Sequence, residues 1–192
     1  MPHLRHACNI MSTSSRAVVS ATPASSHTAQ AVVSSPLGEV RLARTALGLS
    51  GMWFAGQRDD PGDLPVPHRA DDPVLAEAAR QLDAFWAGRR QQFDLPLDLI
   101  GTPFQRKVWQ ALLDIPFGSW RHYGDIAQQI GQATASRAVG GAVGRNPVSV
   151  IVPCHRVIGL NGTLTGYSGG MDRKKALLRL EGHAIEANRL CC

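Results

Sequence analysis

Residues 123–146, YGDIAQQIGQATASRAVGGAVGRN, hold two short helical patterns joined by a tight connection. In the first, about 124–130, Ile126 and Ile130 lie one helical turn apart and Gly131 stops the helix. The second runs over about 135–145, and Asn146-Pro147 ends it. Helix, brief turn, helix at this size reads as a helix-turn-helix, a module that presents its second helix to a DNA groove. That second helix is odd as a core element. Gly140, Gly141 and Gly144 each cost it about 1 kcal/mol of propensity relative to alanine, so something must approach closely enough to reward small residues. Two occupants fit: a neighbouring helix, or a nucleic-acid backbone with Arg137 and Arg145 supplying charge. The glycines alone do not choose between them.

Downstream, 148–152 is a nearly continuous apolar run, the pattern of a strand buried on both faces, and it delivers Pro153-Cys154-His155-Arg156-Val157 at its end. A lone buried cysteine is ordinarily inert. Here His155, Arg156 and a basic half of the chain surround Cys154, which favours thiolate over thiol. The last helix, about 170–181, carries Leu177 and Leu178 on its inner side and puts Glu181 on the same face one turn later. A carboxylate there, opposed by desolvation and by the helix dipole, needs a buried cationic or donor partner, and His155 is the natural candidate. Cysteine, histidine and acid make the nucleophile, base and orienting group of covalent catalysis. The same set suits a cysteine hydrolase, but that reading leaves the helix-turn-helix without a task.

Upstream, Thr102-Pro103-Phe104-Gln105 combines a capping box with proline at the first helical position. Phe104, Val108, Trp109, Leu112 and Leu113 give that helix its apolar face before Pro116 and Gly118 end it. The N-terminal half reads as strands over 31–34, 39–43 and 49–54, a Pro-rich connector at about 57–70, and a helix from Asp72-Pro73 to Gly88. A further short strand follows, in which Phe93, Leu95 and Leu97 alternate. The fold class is α+β: a small N-terminal antiparallel β-sheet with a helix, then a mostly helical C-terminal domain containing the helix-turn-helix. The divisions are a disordered extension at 1–30, an N-terminal domain at 31–98, a C-terminal domain at 101–183 and a tail at 184–192.

Charge is uneven: residues 1–100 are net −1, whereas 101–192 hold 11 Lys+Arg against 5 Asp+Glu, which favours the second half as a polyanion binder, although a solvated basic surface without function would give the same count. The chain holds no apolar run long enough for a membrane span and no secretory h-region, so a soluble, cytoplasmic protein is expected. Cys8, Cys154, Cys191 and Cys192 are too few and too oddly placed for a disulfide framework. His3, His6, Cys8 and His27 match no standard zinc spacing.

The stretch Ile151-Val152-Pro153-Cys154-His155-Arg156-Val157 resembles the active-site signature of the O6-alkylguanine-DNA alkyltransferase family. Gly101-Thr102-Pro103-Phe104-Gln105, Tyr123-Gly124, Arg137-Ala138-Val139-Gly140-Gly141-Ala142, Asn146-Pro147, Tyr167-Ser168-Gly169-Gly170 and Leu180-Glu181-Gly182 follow in the family's order over 101–182. Ser35-Pro36-Leu37-Gly38 and Gly51-Met52-Trp53-Phe54 extend the likeness more loosely.

The resemblance implies a single-turnover methyltransferase that moves the alkyl group of O6-alkylguanine in DNA onto Cys154, with O4-alkylthymine left open. Cys154 would be deprotonated through a water by His155, which Glu181 orients. Tyr123 would protonate guanine N3, and Asn146 would bond locally to hold the recognition helix against the active-site strand. Arg137 would enter the base stack as the nucleotide flips out. Ala135, Ser136, Gly140, Gly141 and Arg145 would line the minor-groove DNA contact. Val157, Tyr167, Ser168 and Gly169 would shape the substrate pocket: the carbonyls of Cys154 and Val157 would accept from the guanine amino group, and the Ser168 N–H would meet O6. It implies double-stranded DNA as partner, a monomer with cooperativity on DNA left open, no membrane and no cofactor. The zinc ligands of some animal members have no counterparts here, so no metal is expected. The stretch Ser119-Trp120-Arg121-His122 is bulkier than the family pattern and leaves the local DNA contacts open.

Overall fold

A computed structural model of the chain describes residues 27–191. The reading of an N-terminal extension, with His3, His6 and Cys8, falls almost wholly outside the described residues, as does Cys192. Its boundary moves, because β1 (Ala29–Val33) begins inside it. β1 pairs antiparallel with β2 (Val40–Arg44), which pairs antiparallel with β3 (Leu49–Phe54), in the order β1-β2-β3. Val40, Leu42, Leu49, Met52 and Phe54 are fully buried, which fixes the register of the sheet. Gly51 is required where it stands, because a Cβ there would overlap the ring of Trp53.

Helix α1 (Pro73–Trp86) packs Leu75, Ala78, Leu82 and Phe85 onto this sheet. Asp72 caps it, accepting from the N–H groups of Val74 at 3.0 Å and Leu75 at 3.3 Å. The strand expected over residues 93–97 does not form: Leu97 makes a single bridge to Leu49. Pro96 cannot donate to a ladder, and the backbone of Asp94 is held by the Gln81 side chain.

In the second half, Thr102 and Gln105 form the expected capping box of α2 (Pro103–Leu113), at 3.2 and 2.8 Å. Trp109 is buried and its Nε1 donates to Ala142 O at 2.9 Å, tying α2 to α4 (Ser136–Val143). Ahead of α4 come β4 (Arg121–His122) and α3 (Tyr123–Gln129). β4 pairs in parallel with β5 (Val157–Ile158), which follows a short 3-10 turn at Cys154–Arg156. Helix α5 (Met171–Leu180) then leads to a hairpin of β6 (Ile185–Glu186) and β7 (Arg189–Leu190). The segment expected to be a tail is therefore folded, and Leu190 is buried with Ile158, Leu164 and Leu178 in a small second core. The main core is continuous across both halves, from Val40 and Leu42 through Trp109 and Val139 to Leu177.

The buried strand expected at 148–152 is instead a buried turn. Only Val148 bridges β3, at Met52, and Val152 N–H donates back to Val148 O at 2.9 Å, while Val150 adopts a φ of 67°. An apolar run signals burial but not extension, and periodicity cannot separate the two. The turn survives burial because its polar backbone is satisfied: Met52 N–H donates to Pro147 O, Ser149 N–H to Met52 O, and Asn146 serves Val148 and Val152.

The Pro-rich connector is pinned by fully buried Gln30, whose Nε2 donates to the carbonyls of Leu64 and Val66 while its Oε1 accepts from Leu64 N–H. Replacing Gln30 with leucine strands these groups and is expected to lower unfolding free energy by about 1–3 kcal/mol. Urea denaturation checks this, and an unchanged midpoint would show the connector to be held by other contacts.

Candidate active site

The buried turn sets Cys154 inside the protein, 2% exposed. Its Sγ accepts from Asn146 Nδ2 at 2.9 Å, and the same amide donates to Val152 O at 2.7 Å while Asn146 Oδ1 accepts from Val148 N–H. Asn146 follows α4 directly, so one amide joins the end of that helix, the turn and the sulfur. The thiolate expected from the basic surroundings is not the resting form. Burial pushes the thiol above its ordinary range, and it outweighs the Asn146 amide, the Lys174 charge and nearby backbone N–H groups, all of which favour thiolate. Net charge in a half of the chain says little about a buried sulfur.

His155 is fully buried, and its Nε2 lies 2.8 Å from Glu181 Oε1. Burial lowers the histidine's pKa against the pull of Glu181, so the ring is neutral at physiological pH. An ionised carboxylate only accepts, so Nε2 carries the proton and Nδ1 keeps its lone pair. Nδ1 is buried without a partner among the described residues. That makes it a base with an unused acceptor.

Glu181 caps the C-terminus of α5, as its spacing from Leu177 suggested, and it has more partners than His155. Arg156 Nε donates to both carboxylate oxygens at 3.0 and 2.9 Å and Nη2 to Oε1 at 2.9 Å, while Gly118 N–H donates to Oε2 at 3.2 Å. Arg156 Nη1 also donates to Ile115 O at 2.6 Å. Burial alone would raise the acid, yet His155 and Arg156 hold it down at about 2.

Facing the sulfur across the site is Lys174, fully buried, with Nζ donating to Val157 O at 2.6 Å and Thr165 O at 3.1 Å. Desolvation brings its pKa down to about 8. Tyr123, the first residue of α3, places its hydroxyl 2.9 Å from Thr165 Oγ1. The Tyr167 hydroxyl is buried near Cys154 and Ser149 without a hydrogen bond of good geometry, and burial raises it well above its ordinary pKa. Ser168 is buried with its Oγ unpaired among the described residues, and Gly169 leaves room for the Tyr167 ring where a Cβ would clash.

On α4 and at its two ends, Arg137, Gly141 and Arg145 are exposed and Ala135 and Ser136 half-buried. The three glycines have different reasons. Gly140 lies against the Tyr123 ring, with a built Cβ 3.7 Å away, and Gly144 takes the Arg58 side chain, whose Nη2 donates to Gly144 O at 3.2 Å. Only Gly141 faces outward with its nearest neighbour the flexible Arg145 side chain.

Residues 29–99 match the family model described as the 6-O-methylguanine DNA methyltransferase ribonuclease-like domain, and residues 103–183 the DNA binding domain of the same family. The methylated-DNA--protein-cysteine methyltransferase of Mycobacterium leprae is 49% identical over 79% of this chain and 90% of its own length; that of Methanosarcina acetivorans is 47% identical over 79% and 97%. The chain belongs to the 6-O-methylguanine DNA methyltransferase family. A crystal structure of Mycobacterium tuberculosis OGT in complex with DNA is similar at TM-score 0.72 and 47% identity, over 80% of this chain and 92% of that one.

In this 6-O-methylguanine DNA methyltransferase family member, Cys154, His155, Glu181 and Asn146 come together as the sequence suggested, and Tyr123, Val157 and Tyr167 lie around them. Arg137, Ala135, Ser136, Gly141 and Arg145 stand apart on α4. Lys174 was missed, and Arg156, named beside Cys154, was not paired with Glu181, which it meets through two of its nitrogens. Lys174 was within reach of the same argument that found Glu181, since it lies three and four residues before Leu177 and Leu178 on one helix face. The need of Glu181 for a buried cation pointed to Arg156 as well as to its neighbour His155.

Glu181→Gln removes the charge that Arg156 was buried to meet and is expected to destabilise the protein by about 3–5 kcal/mol at neutral pH. Because the folded acid is depressed from its ordinary 4.5 to about 2, the stability it supplies is complete above 4.5 and lost as pH falls towards 2. The gap between wild type and variant should close over that window in acid-unfolding curves. A gap independent of pH would mean that shape, not charge, holds the site.

Proposed function

We propose that this protein repairs DNA by direct reversal, transferring the alkyl group of O6-alkylguanine irreversibly to its own Cys154. One arrangement supports this reading above others: a buried cysteine, held by Asn146 after α4, beside a neutral histidine whose second nitrogen is fixed by a buried carboxylate. The alkyl carbon is an SN2 centre, and sulfur is the soft nucleophile it calls for. Because the thiol rests protonated, its proton must leave, and it passes through a water to His155 Nδ1 while Glu181 stabilises the imidazolium. The S–C bond forms as the C–O6 bond breaks. The electron pair stays with the guanine, and Tyr123 supplies a proton to N3 so that a neutral base departs. Donor and acceptor are DNA and protein, so no metal or organic cofactor enters this balance.

The exposed side of α4 is read as the DNA-facing surface, with α3 and α4 as a helix-turn-helix and Ala135, Ser136, Gly140, Gly141 and Arg145 along the minor groove. Arg137 fills the stack when the lesion flips out towards Val157, Tyr167, Ser168 and Gly169. Gly141, exposed and without a Cβ, favours this reading because, among the described residues, only the flexible Arg145 side chain comes near it. The protein works as a cytoplasmic monomer on double-stranded DNA. No helix among the described residues is long and apolar enough to cross a membrane.

Three outcomes check the reading. With O6-methylguanine DNA in excess, restored guanine should plateau at the molar amount of active protein, with the methyl group found on the Cys154 peptide by mass spectrometry; continuing turnover would rule out a thioether end point. Cys154→Ala should lose transfer entirely while DNA affinity stays within about twofold, since phosphate contacts dominate affinity. Arg137→Ala should slow repair in duplex DNA more than reaction with free O6-benzylguanine, because only the duplex requires flipping. Equal slowing on both substrates would assign Arg137 to something other than the stack.

A further inference from the structure

The Tyr123 hydroxyl lies 2.9 Å from Thr165 Oγ1, a distance that accommodates one hydrogen between two oxygens, and either hydroxyl can supply it. The direction matters. If Tyr123 donates, its proton points at Thr165; if Thr165 donates, Tyr123 keeps its proton for another acceptor. Thr165 is itself held on two sides. Its carbonyl accepts from Lys174 Nζ, which also holds Val157 O, the residue after the Cys154 turn. Its methyl Cγ2 packs on Gly159, where a built Cβ would stand 3.0 Å away, and Gly159 N–H donates to Thr163 O at 2.8 Å. With the methyl against Gly159, the hydroxyl is the branch turned to Tyr123.

We propose that Thr165 is a positioning residue for alkyl transfer: its hydroxyl donates to Tyr123 Oη, aiming the tyrosine proton at guanine N3 and stabilising the phenolate that forms as that proton leaves. The inference rests on the reading of Tyr123 as the proton donor. Thr165 keeps its own proton throughout. The Tyr123 proton moves to N3, S–C forms and C–O6 breaks, and solvent reprotonates the phenolate afterwards. A hydrogen bond to an ionised oxygen is stronger than one to a neutral hydroxyl, so the contact strengthens as charge develops and acts on the transition state rather than on binding. Burial of Tyr123 opposes the phenolate and the Thr165 bond works against that opposition.

The test is the single-turnover rate of methyl transfer from an O6-methylguanine duplex, with DNA affinity measured on the same proteins. Thr165→Val, which keeps the shape and removes the hydroxyl, should be about 10–100-fold slower at unchanged affinity, the range set by a hydrogen bond to a charged group. Thr165→Ala, with no bulk to misplace, should be slowed likewise, and Thr165→Ser should recover most of the rate. In a Tyr123→Phe background, Thr165→Val should add nothing, as expected of two groups acting as one unit. A wild-type rate for Thr165→Val and Thr165→Ala beside a slow Tyr123→Phe would overturn this proposal and leave Tyr123 as the acid. Full additivity of the two losses would also overturn it. A wild-type rate for Tyr123→Phe would remove the acid reading, and this one with it.

Discussion

The carboxylate of Glu181 is buried and accepts from three groups on two parts of the chain: the ring of His155 and the guanidinium of Arg156, side by side in one turn, and the backbone of Gly118. Arg156 passes the connection on to Ile115 O just beyond α2, so the end of α5, the Cys154 turn and the end of α2 meet at one charge. A buried ion pair of this kind contributes little net stability compared with a well-packed apolar substitute, but it is costly to break. Its value here is geometric. It fixes which nitrogen of His155 carries a proton, and a base with the wrong tautomer is no base at all.

Around that charge the site is built from buried polar groups rather than from an open, basic cleft. Asn146 uses its amide as a backbone would, closing the turn over Val148 and Val152 and reaching Sγ with the same nitrogen. Lys174 does the equivalent on the opposite side, joining the Val157 and Thr165 carbonyls. Each is a constraint on the backbone made by a single side chain, and the sulfur beside them is buried. Such an environment keeps the thiol protonated and strengthens every electrostatic interaction that acts once the proton is gone.

Local chemistry made the helices legible. Asp72 and Thr102 announce α1 and α2 because capping is decided within four residues, and Ile126 is buried on α3 while Ile130, at its C-cap, packs partly buried against the same core. Glu181 was legible because a carboxylate on an apolar face has to be met by something. The failures come where tertiary context wins. Residues 148–152 read as a strand because Asn146, which satisfies their backbone in a turn, lies outside the run. Lys174 was passed over because lysines are seldom buried. The folded 184–190 hairpin carries too few apolar residues to signal itself without its partners Ile158 and Leu164.

The two halves divide their work in a way the sequence could only suggest. The N-terminal sheet carries no reacting group, yet β3 supplies the Met52 N–H and C=O that bracket the turn before Cys154, and Arg58 closes over Gly144 at the end of α4. Arg173 adds a third link, stacking on the Phe54 ring and donating to Leu37 O from α5 while also reaching Gly169 O. Because the core is continuous, these contacts do not hinge one body on another. They hold the sulfur, the end of α4 and the 165–170 loop against one rigid sheet, so that a strained, buried turn stays in place without a strand to support it.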